Sequence, residues 1–260
     1  MREGSLTVVG TGLRISGQVT REAASAIHAA EKLFFLVSDG LTRQWLGEQN
    51  QSAEDLYDSY AAGKDRSTTY SEMAERILAP VREGKWVCAA FYGHPGVFAT
   101  PPHEAIRRAR AEGYRARMLP GISAEDCLFA DLGLDPGTVG CQSFEATDFL
   151  LRRRRFDPTS LLILWQVGAI GVRDYRNEPL WSREGLMVLA NRLLEDYPPE
   201  HEVVLYEASP YPVCEPRILR QPLSSLASAP ATVRTTLCVP PTGERESDSE
   251  MLATLGLRSK

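Results

Sequence analysis

The chain has 260 residues, a formal net charge of −5, 43% hydrophobic residues and 24% charged residues. That length buries a sizeable core as one large domain or two smaller ones, and the acidic balance excludes a general nucleic-acid binder, which carries a basic excess. No apolar run approaches the roughly 18 residues that cross a bilayer, and the start, Met1-Arg-Glu-Gly-Ser-Leu-Thr7, lacks a signal peptide's apolar core, so the expectation is a cytoplasmic protein with neither nucleic acid nor membrane as partner.

Short apolar runs alternate with amphipathic stretches of helix length. Leu6–Gly10 is a predicted strand that runs into Gly10-Thr-Gly12. A helix capped by Thr20 extends to about Glu31, followed by a strand over Lys32–Val37 that ends at Ser38-Asp39. Tyr70–Glu83 carries Met73, Ile77 and Val81 at helical spacing, with Pro80 as a possible bend. Trp86–Tyr92 is the next strand, then a helix over Pro101–Glu112 whose prolines suit an N-terminus. After a strand at Arg115–Leu119, Ser123-Ala-Glu-Asp126 reads as a helix cap with acid in the first turn. Leu161–Val167, Val203–Glu207 and Arg234–Val239 are further strands, and Ser182–Tyr197 is an amphipathic helix stopped by Pro198-Pro199. Strands separated by helices predict an α/β fold of two subdomains with mainly parallel sheets. The tight turn Leu119-Pro-Gly-Ile122 sets the expected boundary: residues 1–119, residues 120–241 and a polar tail over 242–260, with a ligand in a cleft between the two halves.

The five cysteines (Cys88, Cys127, Cys141, Cys214, Cys238) form no Cys-x-x-Cys pair, and the four histidines (His28, His94, His103, His201) lack two-ligand spacing on a helix. Reduced cysteines and no metal are expected. Gly10-Thr-Gly12 after a strand has the look of a dinucleotide turn with Asp39 as its ribose acid, but the sixth position is Ile15, and Gly-x-Gly alone is a weak signal. The bland reading is a tight turn that permits close backbone approach.

Three glycine turns lie along the first half: Gly10-Thr-Gly12, Tyr92-Gly-His-Pro-Gly-Val-Phe98 and Leu119-Pro-Gly-Ile-Ser-Ala-Glu-Asp126. Together they resemble the tetrapyrrole methylase superfamily (class III methyltransferases). Asp55-Leu-Tyr-Asp-Ser-Tyr60, Gly63-Lys-Asp-Arg-Ser-Thr-Thr-Tyr70, Cys127–Pro136, Phe144–Thr147 and Trp165-Gln-Val-Gly168 look more closely like the borosin peptide backbone α-N-methyltransferases. The resemblance spans residues 5–241. It implies S-adenosylmethionine as cofactor, a homodimer, and a peptide substrate. It also implies roles at matching positions: Tyr57, Tyr60, Arg66 and Tyr70 as the cluster that activates the substrate, and Tyr92, His94, Val97, Phe98, Ser123, Ala124, Gln166 and Val167 as cofactor contacts.

The residue types suit that chemistry. An amide nitrogen is a poor nucleophile because its lone pair is delocalised into the carbonyl. Methylating it needs a donor or cation at the oxygen and an acceptor for the N–H proton. Arg66 is permanently charged and is expected to hold neighbouring tyrosines toward the phenolate form; Tyr70 is a plausible oxyanion donor where loop meets helix, and Tyr57 or Tyr60 could take the proton. Each feature also has a bland alternative. Tyr57 and Tyr60 could be the wet face of a short helix, Arg66 a solvated loop charge, His94 a turn cap, and Ser123 simply an N-cap. Arg152-Arg-Arg-Arg155 reads first as a solvated helix end, second as a dock for an acidic leader peptide.

Many borosin enzymes carry their substrate at the end of a long C-terminal extension. Here 19 residues, Thr242 to Lys260, follow Pro241, with Met251–Leu257 as their only apolar stretch. The expectation is therefore a split system that methylates a separate precursor peptide in trans. Alternatives are a tetrapyrrole methyltransferase of the same superfamily, which would need no amide-activating cluster, and a non-catalytic partner protein that binds S-adenosylmethionine.

Overall fold

The alternation of strands and helices read from the sequence is the one the chain adopts. The computed structural model describes residues 3–14, 17–180, 182–243 and 245–257; Ile15, the sixth position of the glycine pattern, lies outside them. No helix among the described residues is long and apolar enough to cross a membrane.

Met1–Leu134, Gly171–Trp181 and Tyr206–Arg217 form one compact unit, and Asp135–Ile170, Ser182–Leu205 and Ile218–Lys260 form another. The first contains β1 (Ser5–Gly10), α1 (Arg21–Ala29), β2 (Lys32–Leu36), α2 (Gly40–Gln49), β3 (Glu54–Asp55), α3 (Arg66–Arg82), β4 (Trp86–Phe91), α4 (Thr100–Ala111), β5 (Arg115–Met118) and α5 (Ala124–Leu132). Its sheet has the order β3-β2-β4-β1-β5, with parallel pairing throughout, from Ser5↔Trp86 to Gly10↔Phe91 at the centre.

Strand periodicity explains why these runs look uniformly apolar. Leu6 and Val8, Phe34 and Leu36, and Val87, Ala89 and Phe91 point to one face, where Met73, Ile77 and Ile106 of α3 and α4 cover them. Val9, Leu33, Phe35, Cys88 and Ala90 point to the other face, against Ala23 and Ile27 of α1 and Leu46 of α2. A parallel sheet buried on both faces calls for near-continuous apolar runs in its central strands.

The second unit holds α6 (Pro136–Val139), β6 (Cys141–Glu145), α7 (Ala146–Leu151), β7 (Leu161–Trp165), α8 (Arg183–Leu193), most of β8 (Glu202–Glu207) and β9 (Arg217–Pro222), β10 (Thr236–Val239) and α9 (Ser249–Thr254). Its sheet runs β6-β7-β10-β8-β9. β6 pairs parallel with β7, and β10 antiparallel. Every residue of β7 is buried.

All seven predicted strands are present, and β3, β6 and β9 were missed for a common reason. Each is short or half-exposed, and none carries a continuous apolar run. The helix expected from Tyr70 begins earlier, at Arg66, because Asp65 accepts the N–H groups of Ser67 and Thr68 as its N-cap. Tyr70 therefore lies one turn inside α3, not at its mouth. Asp39 is the N-cap of α2, with Oδ1 accepting the Thr42 N–H at 2.7 Å. The arginine run closes α7: Arg152 is its C-cap, Arg152 Nε lies 2.6 Å and Arg154 Nη2 2.8 Å from the Asp148 carboxylate, and Arg152 to Arg155 are all exposed.

Candidate active site

The C-terminal ends of β1, β4 and β5 meet backbone to backbone. A Cβ on Gly10 would stand 2.3 Å from the Gly93 carbonyl oxygen and 3.2 Å from Gly121 Cα. Gly93 N–H donates to the Gly12 carbonyl at 2.8 Å, in an isolated antiparallel bridge between the two turns. Glycine is needed here for close approach, as the bland reading of the first turn anticipates. Gln18 pins that turn from below. Its Oε1 accepts the N–H groups of Leu13 and Arg14 at 2.7 and 3.0 Å, and its Nε2 reaches Cys127 Sγ on α5 at 3.4 Å.

Within the second turn His94 Nδ1 accepts the Gly96 N–H at 2.9 Å, so this imidazole caps the turn. Val97 N–H donates to the His94 carbonyl. Phe98 is held at φ 49° and stays exposed. In the third turn Ser123 caps α5 in a reciprocal capping box: Asp126 N–H donates to Ser123 Oγ, and Ser123 N–H and Oγ–H both donate to the Asp126 carboxylate. Ala124 is the first residue of that helix. Gln166 and Val167 belong to the second unit, where Gln166 takes φ 57° and Val167 is buried at the start of a short 3₁₀ turn. Phe98 and Gln166 are two of only three non-glycine residues with positive φ among those described. Such strain persists where surrounding structure imposes it, and it concentrates at ligand sites.

Tyr57, Tyr60, Arg66 and Tyr70 do come together. Tyr57–Ser59 form a 3₁₀ turn and Tyr60 ends it. Arg76 of α3 holds this turn by donating to Ser59 Oγ at 2.7 Å, Glu54 Oε1 at 2.8 Å and the Asp55 carbonyl at 3.0 Å. Arg66 and Tyr70, four apart on α3, share one helix face; Arg66 Nε donates to the Tyr70 hydroxyl at 3.0 Å. The Tyr57 and Tyr60 rings meet edge to face at 5.5 Å, and Tyr60 and Tyr70 at 6.5 Å.

Two members were not anticipated. Tyr175 lies 2.8 Å from the Tyr57 hydroxyl, oxygen to oxygen, and its ring tilts against Tyr60 at 4.9 Å. Arg43 of α2 sits 5.8 Å from the Tyr57 ring centroid and is salt-bridged to Asp55. The only sequence signal for Tyr175 was a lone aromatic in the charged run Arg173-Asp-Tyr-Arg176, too weak to single out.

The expectation that Arg66 would bring its neighbours toward phenolate fails for Tyr60. Burial pushes the Tyr60 hydroxyl well above the ordinary tyrosine range, Tyr70 and Tyr92 push it further, and the Arg66 charge offsets only part of this. Tyr92 shifts upward for the same leading reason, burial of its hydroxyl end, with Tyr70 adding and Arg66 opposing, although the residue as a whole is 53% exposed. These interactions put the Tyr92 hydroxyl in the neighbourhood of Tyr70 and Arg66. The turn after β4 and the tyrosine/arginine cluster are thus one site within the first unit.

Also in the first unit, Tyr206, fully buried, donates to Asp131 Oδ2 at 2.7 Å. Burial first, and Asp131 second, raise its pKa far above the usual value. The folded state therefore holds this proton more tightly than the unfolded chain does, and the stabilisation, complete below about pH 10, is lost as pH rises beyond that. The unfolding free energy from urea titrations should fall above about pH 10 by up to about 1.4 kcal/mol per pH unit for each such tyrosine. Tyr206→Phe should make that slope shallower while costing about 1–2 kcal/mol at neutral pH. An unchanged alkaline slope in Tyr206→Phe would remove this residue from the effect.

The family of tetrapyrrole (corrin/porphyrin) methylases matches residues 5–227. Among curated proteins, the chain is 43% identical over 258 residues to a methyltransferase/ribosomally synthesized cyclic peptide dendrothelin A precursor of Dendrothele bispora, covering 98% of this chain and 62% of that protein. It is 41% identical over 264 residues to a methyltransferase/ribosomally synthesized type I borosin cyclic peptide precursor of Serendipita vermifera subsp. bescii, covering 98% and 63%. The chain thus spans less than two thirds of the length of each of these relatives. Among solved structures, the uroporphyrin-III-C-methyltransferase of Thermus thermophilus superposes with a TM-score of 0.65 at 19% identity, over 99% of this chain and 98% of that one, a likeness of fold.

Proposed function

Because the chain belongs to the tetrapyrrole (corrin/porphyrin) methylase family, we propose that it is an S-adenosylmethionine-dependent methyltransferase acting on backbone amide nitrogens of a peptide. The observation that carries this reading is the Arg66–Tyr70 hydrogen bond inside a cluster of four further tyrosine hydroxyls, Tyr57, Tyr60, Tyr92 and Tyr175. A macrocycle carbon that is already nucleophilic has no use for such a cluster, whereas an amide does. Methyltransferase and cyclic peptide precursor stand together in the names of both relatives, which supports a peptide as the acceptor. The reading includes a homodimer, carried over from the resemblance, and a precursor peptide that is met in trans, unlike the fused precursors named for both relatives.

The three glycine turns suit the cofactor. They leave no room for side chains where they touch and present backbone N–H and C=O groups together with Tyr92, His94, Val97 and Phe98. Those residues, with Ser123 and Ala124 behind them, would hold S-adenosylmethionine. Bound there, it supplies a methyl group made electrophilic by a positively charged sulfur.

The chain's own residues then prepare the amide. As the N–H proton leaves, charge collects on the peptide carbonyl oxygen. Arg66 provides a fixed positive charge, and the Tyr70 hydroxyl bound to it is held at one angle, so little reorganisation is needed as that charge develops. Tyr60 and Tyr92, whose pKa values are raised, remain neutral phenols and act as hydrogen-bond donors. Tyr57 is the most exposed member of the original cluster at 40%, and it is left to accept the proton and pass it to solvent.

Incubating the protein with S-adenosylmethionine and a synthetic apolar peptide, followed by tandem mass spectrometry of both chains, tests this. Mass increments of one methyl each, located on backbone nitrogens of the added peptide, are the expected result. Methyl groups found only on the protein's own residues 251–257 would overturn action in trans. Methylation of a precorrin with the peptide untouched would overturn the peptide reading.

A further inference from the structure

The segment that carries Tyr175 is attached to the site by backbone, not merely laid beside it. Gly63 N–H donates to the Tyr175 carbonyl at 3.0 Å, Tyr175 N–H to the Lys64 carbonyl at 3.2 Å, and Arg66 N–H to the Arg173 carbonyl at 3.1 Å. Asp65 and Asp174 form an antiparallel bridge between the two strips of chain. The loop that leads into Arg66 therefore fixes the position of Tyr175 as well. The phenol reaches back over Tyr60 and meets the Tyr57 hydroxyl at 2.8 Å, rings edge to face at 6.4 Å.

We infer that Tyr175 is a positioning residue for the proposed reaction: its hydroxyl donates to the Tyr57 oxygen and shares a proton with it, so that Tyr57 can take the amide proton. This rests on the reading of the site as a peptide N-methyltransferase. Once one proton has left, the remaining one is shared between the oxygens, and the hydrogen bond with Tyr57, ahead of burial, pushes Tyr175 up to about 12. The pair acts in its singly ionised form. The amide proton passes to the Tyr57 oxygen as the N–H bond breaks, the pair becomes neutral, and exposed Tyr57 later releases the proton to water. Arg43 lies over the Tyr57 ring, with Asp55 bound both to Arg43 and to the Tyr57 N–H. Tyr60 flanks the pair, and Arg173 together with Asp174 and Arg176, the last two paired at 3.2 Å, are the charges beside Tyr175 on its own strip. Arg43 is the cation set over the Tyr57 ring of the pair.

The test is a double-variant cycle read by kcat, with ring-labelled tyrosine NMR as a second readout. Tyr175→Phe keeps the ring on Tyr60 and removes only the hydroxyl. It should lower kcat about tenfold, the net size of one neutral hydrogen bond, leave KM for the peptide unchanged, and move the rising limb of the pH–rate profile to higher pH. In a Tyr57→Phe background the same substitution should cost nothing more, because its only route of action is gone. Losses that multiply in the double variant, or a pH profile that stays in place, would overturn the inference. The NMR titration of Tyr57 with and without the Tyr175 hydroxyl decides the pairing even if the wild-type protein methylates no peptide. A Tyr57 resonance that moves supports the pair while the functional reading fails, and one that does not move sinks the pair on its own.

Discussion

Arg66→Ala and Tyr70→Phe should each lower kcat by about 10²–10³, the usual loss for a preorganised donor at a developing oxyanion, while the cofactor Kd should stay within about twofold. The argument starts from helix geometry. Asp65 caps α3 so that Arg66 is its first residue, and a side chain four positions later falls on the same face. The Arg66 Nε–Tyr70 hydroxyl contact of 3.0 Å follows, and both side chains are half-buried, where a charge is less screened than in water. Arg66→Lys should recover little, because an ammonium cannot reproduce a planar guanidinium that donates through Nε and covers the Tyr70 ring at 5.8 Å. The double variant should lose barely more than either single one, since the two residues act as a unit. Steady-state kinetics on a methylatable peptide checks all four proteins. Wild-type turnover by Tyr70→Phe would take it out of the mechanism and leave the cluster as packing.

The second large effect is steric. In Gly10→Ala the added methyl would lie 2.3 Å from the Gly93 carbonyl oxygen and 2.9 Å from Pro95 Cδ. Neither neighbour can swing aside: the carbonyl belongs to a turn bridged to Gly12, and the proline ring is rigid. The turns after β1 and β4 must separate, which should cost about 2–3 kcal/mol of stability and, with those turns proposed as the cofactor cradle, weaken S-adenosylmethionine binding at least about tenfold by calorimetry. Gly47→Ala is the contrast. Nothing stands within 4 Å of its Cβ, it lies in α2, and it should gain about 0.5–1 kcal/mol from helix propensity. Equal urea midpoints for Gly10→Ala and the wild type would show that the turns yield, and the cradle argument would go with them.

Much of the site was legible because it is local. Arg66 and Tyr70 are joined by helical spacing, Tyr57 and Tyr60 by a single turn, and Ser123 with Asp126 by a capping box, all within four residues of chain. The apolar runs of β1, β2, β4 and β7 could be read because burial on both faces makes most of their positions apolar. Short polar strands such as Glu54–Asp55 could not, since their pairing comes from a neighbour and not from their own composition.

What the chain's own letters determined, then, is which segments become strands and helices, and which residues a single turn or helix face brings together. The tertiary structure alone decided that Gly171–Trp181 returns to the first unit to deliver Tyr175, that Tyr92 approaches Arg66 and Tyr70, and that Tyr60 keeps its proton against a nearby guanidinium. The physical reason is one of range. Periodicity and capping act through hydrogen bonds a few residues apart, whereas desolvation sums over atoms that residues far apart in sequence bring within a few ångströms, and no local pattern records that sum.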